Sequence, residues 1–136
     1  MASIRELMTS NPTTCPPSAS ILDVAKMMAQ EDVGPVPIVE GDRLTGIVTD
    51  RDLVVRVLAE GRDPTSTTIG EIASADLVTV QPDSDLSEAL NLMAQNQVRR
   101  LPVVEGDQLV GIVAQADVAR AADEEKTGEV VQDISR

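Results

Sequence analysis

The sequence predicts an α+β fold (α/β-like) made of two tandem copies of one β-α-β-β-α unit, packed by pseudo-twofold symmetry. The first observation is an internal repeat, because a shift of 65 residues aligns 4–55 with 69–120 without a gap, with 18 of 52 positions identical. The second is the order of patterns in each copy: a helical apolar stripe, then two short strand-like runs around a Gly-Asp step. A copy of about 60 residues is marginal alone. We therefore expect the copies to share a core.

Each copy begins with a short strand, predicted at Thr13–Cys15 and at Val78–Val80, followed by a helix. The helices open with Ser20-x-x-Asp23 and Asp85-x-x-Glu88, which resemble capping boxes because a side-chain acceptor precedes a carboxylate by three residues. The apolar residues at helical spacing are predicted to be core; they are Ile21, Val24, Met27 and Met28, then Leu86, Ala89, Leu92 and Met93.

Two strands and a second helix complete each copy. Gly41-Asp42 and Gly106-Asp107 predict hairpin turns, since Gly and Asp tolerate a positive φ. The predicted strands are Val36–Val39, Leu44–Val48, Leu101–Val104 and Leu109–Val113. The last helix is predicted to begin at Asp50–Asp52 in the first copy and near Ala116–Asp117 in the second.

The domain boundaries follow from the repeat and a polar linker at Arg62–Thr68: a first domain at 1–62, a second at 63–122 and a charged tail at 123–136. Val130, Val131 and Ile134 recur at helical spacing in the tail. A short helix that docks on a partner or a second protomer, and a frayed terminus, both remain open.

Composition excludes several classes of function. The formal net charge is −12, with 23 acidic against 11 basic residues, so the surface would repel a phosphate backbone and we expect no nucleic-acid partner. No run approaches the ~20 apolar residues of a membrane span, and the N-terminus lacks the layout of a signal peptide. The single cysteine, Cys15, allows no internal disulfide and suits a reducing cytosol. We expect a cytoplasmic protein without a membrane partner.

Histidine is absent, as are Phe, Trp and Tyr. A His-based metal site and a Ser-His or Cys-His catalytic pair are therefore excluded, and no other group of residues forms a catalytic constellation. We expect no catalytic residues, no metal site, and a base-binding pocket with aliphatic rather than aromatic walls.

The segment Gly46-Ile-Val-Thr49-Asp50-Arg51-Asp52 carries the chemistry. Thr49 stands where a buried strand passes into a helix, whose free N–H groups offer an anion site. Arg51 adds a forked cationic donor suited to phosphate, and the Asp52 carboxylate can accept both hydroxyls of a ribose. This combination fits a nucleotide. On geometry alone, plain helix capping by Thr49 and Asp52 is an equal alternative.

The duplicated pattern, a strand with Pro, then h-P-V-V, then G-h-h-T-x-x-D, resembles the CBS-domain family, whose tandem pair is called a Bateman module. The resemblance covers residues 4–120 and is nearest to the short stand-alone bacterial pairs, including hypoxic-response-type proteins. It implies a regulatory module, not an enzyme, that binds AMP, ADP, ATP or S-adenosylmethionine in the clefts between copies. It implies control of a partner protein in trans and a homodimer, and leaves open whether Mg²⁺ accompanies a triphosphate. A ligand-independent dimerisation module with degenerate sites is the alternative.

Carried over residue by residue, the resemblance assigns the ribose-binding aspartate to Asp52 and Asp117, and the hydroxyl of the same motif to Thr49. The second copy has Ala114 and Ala116 in place of Thr49 and Arg51, so its site should be weaker or empty.

The phosphate clamp implied by the resemblance is Arg100, supported by Arg99, just before the second copy's hairpin. The competing interpretation pairs these arginines with surface carboxylates. The adenine would lie against an aliphatic wall made of Thr14, Cys15, Pro16, Val36 and Ile47. We therefore expect one strong composite site, with Asp52 from one copy and Arg100 from the other, and one weak site.

Overall fold

The computed structural model describes residues 2–73 and 77–135, and the side chains up to residue 125. It confirms the α+β class, with six α-helices and five strands in the described part. The helices are α1 (Ile4–Leu7), α2 (Ile21–Glu31), α3 (Asp50–Leu53), α4 (Ile69–Ile72), α5 (Leu86–Asn96) and α6 (Gln115–Ser135), with a π-helical segment at Val54–Leu58. The strands are β1 (Thr9–Ser10), β2 (Pro35–Glu40), β3 (Arg43–Thr49), β4 (Arg100–Glu105) and β5 (Gln108–Ala114).

The chain forms two compact units, each built around one repeat. The first-repeat unit comprises residues 12–77 and 107–109, and the second-repeat unit comprises 1–11, 78–106 and 110–136. The leading segment of each repeat is thus grouped with the other repeat. The predicted domain boundary at residue 62 describes where one repeat ends along the sequence, and it stays a prediction.

In the first-repeat unit, β2 and β3 form the predicted hairpin. Val36 pairs with Val48 and Pro37 with Ile47, and an irregularity follows Ile38. Gly41 has a φ of +64° in the turn, which an L residue adopts only with strain. The predicted strand at Thr13–Cys15 is a single bridge: Cys15 donates its N–H to the Pro37 carbonyl at 3.1 Å and accepts from the Val39 N–H at 2.9 Å.

The helix α2 packs on this hairpin. The Ser20 hydroxyl accepts the Asp23 N–H at 3.1 Å, so the predicted cap is confirmed. The helix ends at Asp32, which is left-handed with φ +53°. The unit's buried core contains Cys15, Ile21, Val24, Met28, Val36, Ile38, Val48, Leu53, Val57, Ile69 and Ile72, with Met27 packed partly buried against it.

The second-repeat unit repeats this plan. Val80 bridges to Val103 and exchanges hydrogen bonds with Pro102 and Val104, as Cys15 does with Pro37 and Val39. The cap of α5 differs, because Asp85 lies at the N-cap position but its side chain accepts no capping hydrogen bond. The unit's core contains Ile4, Val80, Leu86, Ala89, Met93, Leu101, Val103, Val113, Val118 and Ala121, with Leu92 partly buried.

The short helices α1 and α4 have no counterpart in the sequence prediction. They lie 65 residues apart and so belong to the repeat. Ser3 caps α1 by accepting the Glu6 N–H at 3.3 Å, and Glu71 accepts the N–H of Thr68 at 2.6 Å at the start of α4. Both are S/T-x-x-E patterns, a start signal that the sequence contains. The charged tail continues α6 to Ser135.

Candidate functional site

Thr49 and Asp52 form a reciprocal capping box where β3 passes into α3. The Thr49 N–H donates to Oδ2 of Asp52 at 2.9 Å, and the Thr49 hydroxyl accepts the Asp52 N–H at 3.2 Å. Each bond satisfies a backbone N–H that a helix start leaves unpaired. The two hydrogen bonds therefore confirm that Thr49 and Asp52 cap the helix. The carboxylate is held in one orientation, with Oδ1 outside the cap.

The second oxygen of Asp52 faces a cation that the sequence analysis did not single out. Oδ1 lies 3.9 Å from Nε of Arg56, with side chains that are 31% and 48% exposed. Arg56 also donates from Nη1 to the carbonyl oxygen of Ile72, the last residue of α4, at 2.8 Å. The Asp52–Arg56 separation is loose, so Oδ1 can still accept hydroxyl donors. The i,i+4 spacing of Asp52 and Arg56 in the sequence is the feature from which this ion pair could have been predicted.

Arg51 is exposed and forms no ion pair within the described residues. Its backbone N–H donates to Oδ1 of Asp50 at 3.0 Å, and the Asp50 N–H donates to the carbonyl oxygen of Gly34 at 3.1 Å. The backbone around Arg51 is thus tied down while its guanidinium group stays available to an anion.

The five residues predicted to form the adenine wall differ in accessibility. Val36 and Cys15 are core residues, 0% and 1% exposed. Thr14 and Ile47 are half-buried, and Pro16 is exposed. Because Cys15 uses both its backbone groups in the bridge to β2, the surfaces open to a ligand are those of Thr14, Pro16 and Ile47.

The Cys15 thiol lies in an apolar environment. Burial raises the pKa of this thiol to about 11, because desolvation disfavours the charged thiolate. At neutral pH it is protonated, whereas redox-sensing thiols have lowered pKa values.

In the second-repeat unit, Asp117 is engaged differently from Asp52. Its Oδ1 accepts from Nη2 of Arg120 at 2.7 Å, an i,i+3 ion pair. No hydroxyl cap is available, because residue 114 is Ala. Asp117 and Arg120 line a shallow groove of about 370 Å³ with Glu6 and Glu124. The carboxylate that corresponds to Asp52 is therefore paired with a cation of its own helix.

Arg99 and Arg100 are exposed at the start of β4. The Arg99 carbonyl oxygen accepts from Nη1 of Arg100 at 3.2 Å and from the N–H of Gln115 at 2.8 Å. Neither guanidinium group pairs with a carboxylate in the described part of the chain, so the interpretation as surface ion pairs finds no support there. Arg99, Arg100 and Asp117 belong to the second-repeat unit, and the other eight predicted site residues to the first-repeat unit.

No helix among the described residues is long and apolar enough to cross a membrane. No cluster of three His, Cys, Asp or Glu able to hold a metal ion is found in the same part of the chain.

The comparisons with known proteins agree on one family. The sequence profile of the CBS domain matches residues 4–59 and 69–124. The chain is 41% identical over 136 residues to CBS domain-containing protein YhcV of Bacillus subtilis, covering 99% of this chain and 96% of that protein.

Solved structures agree as well. The crystal structure of hypoxic response protein I with two coordinated zinc ions is 39% identical, with a TM-score of 0.81, covering 89% of this chain and 99% of that one. The protein of that name is from Mycobacterium tuberculosis. The crystal structure of CBSX2 in complex with AMP is 25% identical, with a TM-score of 0.77, covering 93% of this chain and 99% of that one.

The sequence does not fit a zinc site built from Cys and His ligands. Zinc prefers Cys thiolate and His nitrogen ligands, whereas this sequence has no His and one Cys. That cysteine is buried with a raised pKa, which opposes the thiolate form that zinc binds.

Proposed function

This chain belongs to the CBS-domain family and carries two copies of the domain, and on that premise we propose that it is a regulatory module that senses an adenosine-containing ligand. The ligand is AMP, ADP, ATP or S-adenosylmethionine, and the module controls a partner protein in trans from the cytoplasm. Its role is regulatory and not catalytic. The observation that carries the proposal is the oriented carboxylate of Asp52, fixed through Oδ2 by Thr49 and free of a short bond at Oδ1.

The carboxylate of Asp52 matches the hydroxyl groups of a ribose in its hydrogen-bonding capacity. A vicinal diol presents two O–H donors, and an ionised carboxylate is an acceptor-only group with room for both. Preorganisation by the capping box lowers the side-chain entropy that binding would otherwise cost. The AMP complex of CBSX2 supports an adenine nucleotide as the ligand class.

The phosphate-binding groups are proposed to be cationic side chains without a carboxylate partner among the described residues: Arg51 in the first-repeat unit, and Arg99 and Arg100 in the second. In a protein of net charge −12, such free guanidinium groups are the favourable points for an anion. A triphosphate would add Mg²⁺, held mainly by the phosphates.

The test is calorimetric titration of the chain with AMP, ADP, ATP with and without Mg²⁺, S-adenosylmethionine and adenosine. Asp52→Asn keeps a carbonyl acceptor for the Thr49 N–H but removes the charge. We expect its Kd to rise at least ~10-fold, since a hydrogen bond to a charged group contributes about 1.5–3 kcal/mol. The matched control is Asp117→Asn, expected to change Kd little because Asp117 already accepts from Arg120 and has Ala114 in place of the capping threonine.

Arg100→Ala separates phosphate from nucleoside recognition. It should weaken AMP or ATP binding and leave adenosine binding unchanged. No binding of any compound in the panel would reject the sensing function, and equal losses in the Asp52 and Asp117 variants would reject the assignment to Asp52.

One observation favours a second function, a ligand-independent dimerisation or interaction module. The Asp117–Arg120 pair, together with Ala114 and Ala116, leaves the second copy without the free carboxylate, hydroxyl and cation of the first. A homodimer that forms equally with and without every adenosine compound, and binds none of them, would establish this alternative.

A further inference from the structure

Arg56 connects the carboxylate of Asp52 to the end of a second helix. Its Nε lies 3.9 Å from Oδ1 of Asp52, and its Nη1 donates to the carbonyl oxygen of Ile72 at 2.8 Å. Ile72 is the last residue of α4, and the last carbonyl groups of a helix have no partner within it. One guanidinium group therefore lies beside the proposed ribose-binding oxygen and also satisfies a helix C-terminus.

The bond to Ile72 is the tighter of these two contacts of Arg56. At 2.8 Å it is a charge-assisted hydrogen bond, of the kind by which arginine satisfies the last carbonyl groups of helices. The contact with Asp52, at 3.9 Å, is too long for a hydrogen bond and is a Coulombic attraction. The bond to Ile72 thus fixes where the positive charge lies beside Oδ1, which can still accept from a hydroxyl group.

The second repeat cannot make the same connection from the corresponding position. That position is Ala121, a buried residue whose side chain has no donor. The helix that corresponds to α4 is α1, which ends at Leu7. The cation beside Asp117 is Arg120, which pairs with it inside α6. The connection made by Arg56 is therefore a feature of the first repeat, which is also the repeat with the capping box.

The end of α4 lies shortly before the point where the chain leaves the first-repeat unit. That unit continues to residue 77, and the second-repeat unit resumes at residue 78. The helix has four residues, and the Ala73 N–H that follows it donates to the carbonyl oxygen of Ile69 at 3.0 Å. A helix of one turn has few hydrogen bonds of its own. Its end therefore depends on the contacts that side chains such as Arg56 make with it.

A second ion pair joins the same part of the chain to α4. Nη2 of Arg62 lies 3.5 Å from Oε1 of Glu71, and both residues line a shallow groove of about 300 Å³ with Arg56 and Ile72. Of the two arginines in this groove, Arg56 is the one that contacts Asp52. Arg62 therefore provides a control that distinguishes holding α4 in place from responding to a ligand.

We propose that Arg56 is a positioning residue that couples ligand binding at Asp52 to the end of α4. The inference rests on the proposed sensing function and names how occupancy of that site is transmitted within the first repeat. The anchored guanidinium group restricts the Asp52 carboxylate before a ribose binds, which lowers the entropy that binding costs. Coupling between two equilibria is reciprocal. A ligand that restricts Asp52 therefore strengthens the hold of Arg56 on the carbonyl oxygen of Ile72.

The first measurement is amide hydrogen exchange of the ligand-free protein, followed by nuclear magnetic resonance. Arg56→Met keeps an aliphatic side chain and removes both contacts. The Ala73 amide should exchange about 3- to 10-fold faster in this variant than in the wild type, the effect of one net hydrogen bond. Unchanged exchange would show that Arg56 does not hold the end of α4 in solution, and it would overturn the proposal.

The second measurement repeats the exchange with saturating AMP, or with saturating S-adenosylmethionine for a chain that does not bind AMP. In the wild type, exchange of the Ala73 amide should slow by about 5-fold or more, the lower limit of typical coupling between sites. Arg56→Met at saturation should show no slowing. The matched control, Arg62→Met, loses the ion pair with Glu71 but keeps Arg56, and should retain the slowing. Slowing that is absent from the wild type, or that persists in Arg56→Met, would reject the coupling.

Affinity provides a readout that a purely structural role of Arg56 would not change. By reciprocity, Arg56→Met should raise the Kd of the same ligand by a factor comparable to the slowing in the wild type. Arg56→Lys keeps a positive charge but lacks the forked group that reaches two acceptors, so its Kd should be close to that of Arg56→Met. An unchanged Kd in Arg56→Met, or wild-type affinity in Arg56→Lys, would refute the bridging role.

The outcomes separate this inference from the sensing function on which it rests. A wild-type chain that binds neither AMP nor S-adenosylmethionine would reject both. A wild-type chain that binds one of them without any change in exchange at Ala73 would reject the coupling through Arg56 and leave the sensing function standing.

Discussion

Thr49 and Asp52 cap each other: the Thr49 N–H donates to Oδ2 of Asp52 at 2.9 Å, and the Asp52 N–H donates to the Thr49 hydroxyl at 3.2 Å. Capping and ligand binding are thus compatible roles of the same pair. The cap occupies one carboxylate oxygen and orients the other. The second repeat lacks both the hydroxyl and the free carboxylate, since Ala114 replaces Thr49 and Arg120 binds Asp117.

Thr49→Ala should lower the free energy of unfolding by about 1 kcal/mol, the usual contribution of an N-cap hydroxyl. Thr49→Ser, which keeps the acceptor, should lose much less. Since the chain contains no Phe, Trp or Tyr, urea unfolding is followed by far-ultraviolet circular dichroism. Equal stability of Thr49→Ala and wild type would show that the cap contributes nothing to the native state.

The repeat made most of the fold predictable. The two runs on either side of each Gly-Asp step form a hairpin, β2–β3 in the first repeat and β4–β5 in the second. The apolar stripes that begin at Ile21 and Leu86 lie on α2 and α5. Both features were predictable because the periodicity of apolar residues indicates which side of an element is buried. The family profile matches both copies, so the resemblance is confirmed. The strand predicted at Thr13–Cys15 is a single bridge instead, since only Cys15 reaches the backbone of β2.

The chemistry was less predictable, because side-chain partners depend on tertiary contacts. Arg56 reaches the carbonyl oxygen of Ile72 across 16 residues, and no local pattern indicates that bond. The burial of Cys15 and Val36, in contrast with the exposure of Pro16, depends on how the Cys15 bridge lies on β2. The roles proposed for Asp52, Arg51 and Arg100 in binding stay predictions.

Gly111→Ala should destabilise the protein by about 1–3 kcal/mol, the usual effect of overpacking. A Cβ at Gly111 would lie 2.6 Å from Sδ of Met8 and 2.9 Å from the carbonyl oxygen of Thr9. Met8 can move, but Thr9 is paired in β1 with Ile112 of β5. Most of the loss should therefore persist when Met8→Ala is combined with Gly111→Ala, as measured by urea unfolding.

The control for Gly111 is Gly70→Ala, where the nearest atom, the carbonyl oxygen of Pro17, would lie at 3.2 Å. This steric conflict is smaller than the one at Gly111, and Ala has a higher helix propensity than Gly. Gly70→Ala should therefore destabilise the protein much less than Gly111→Ala. A Gly111→Ala variant as stable as Gly70→Ala would contradict the close approach of residues 8–9 to β5.

The Cys15 thiol should react slowly in the native protein. At pH 8 a thiol with a pKa of about 11 has a thiolate fraction on the order of 10²-fold below that of a free cysteine, and burial limits access further. Dithionitrobenzoate labelling in buffer and in urea measures the difference, with Leu58→Cys as the exposed comparison. Because the pKa of Cys15 is higher in the folded protein than in the unfolded chain, the contribution of the protonated thiol to the free energy of unfolding should be fully present below pH 9. This contribution should decrease as pH rises towards 11. Rapid native labelling at pH 8 would contradict the burial and the raised pKa of the Cys15 thiol.

The Glu71 carboxyl should make the free energy of unfolding depend on pH in the acidic range. The backbone N–H of Thr68, and next its hydroxyl, lower the pKa of the Glu71 carboxyl from its usual 4.5, with a smaller effect of Arg62. The unfolded chain therefore binds the proton first, so this contribution is present above pH 4.5 and is lost as pH falls through the lower folded pKa. Urea midpoints between pH 3 and 7 should fall less steeply for Glu71→Gln than for wild type. Arg62→Ala removes only the weakest of these causes and should keep most of the slope. A Glu71→Gln profile parallel to that of the wild type would mean that the Thr68 bond does not persist in solution.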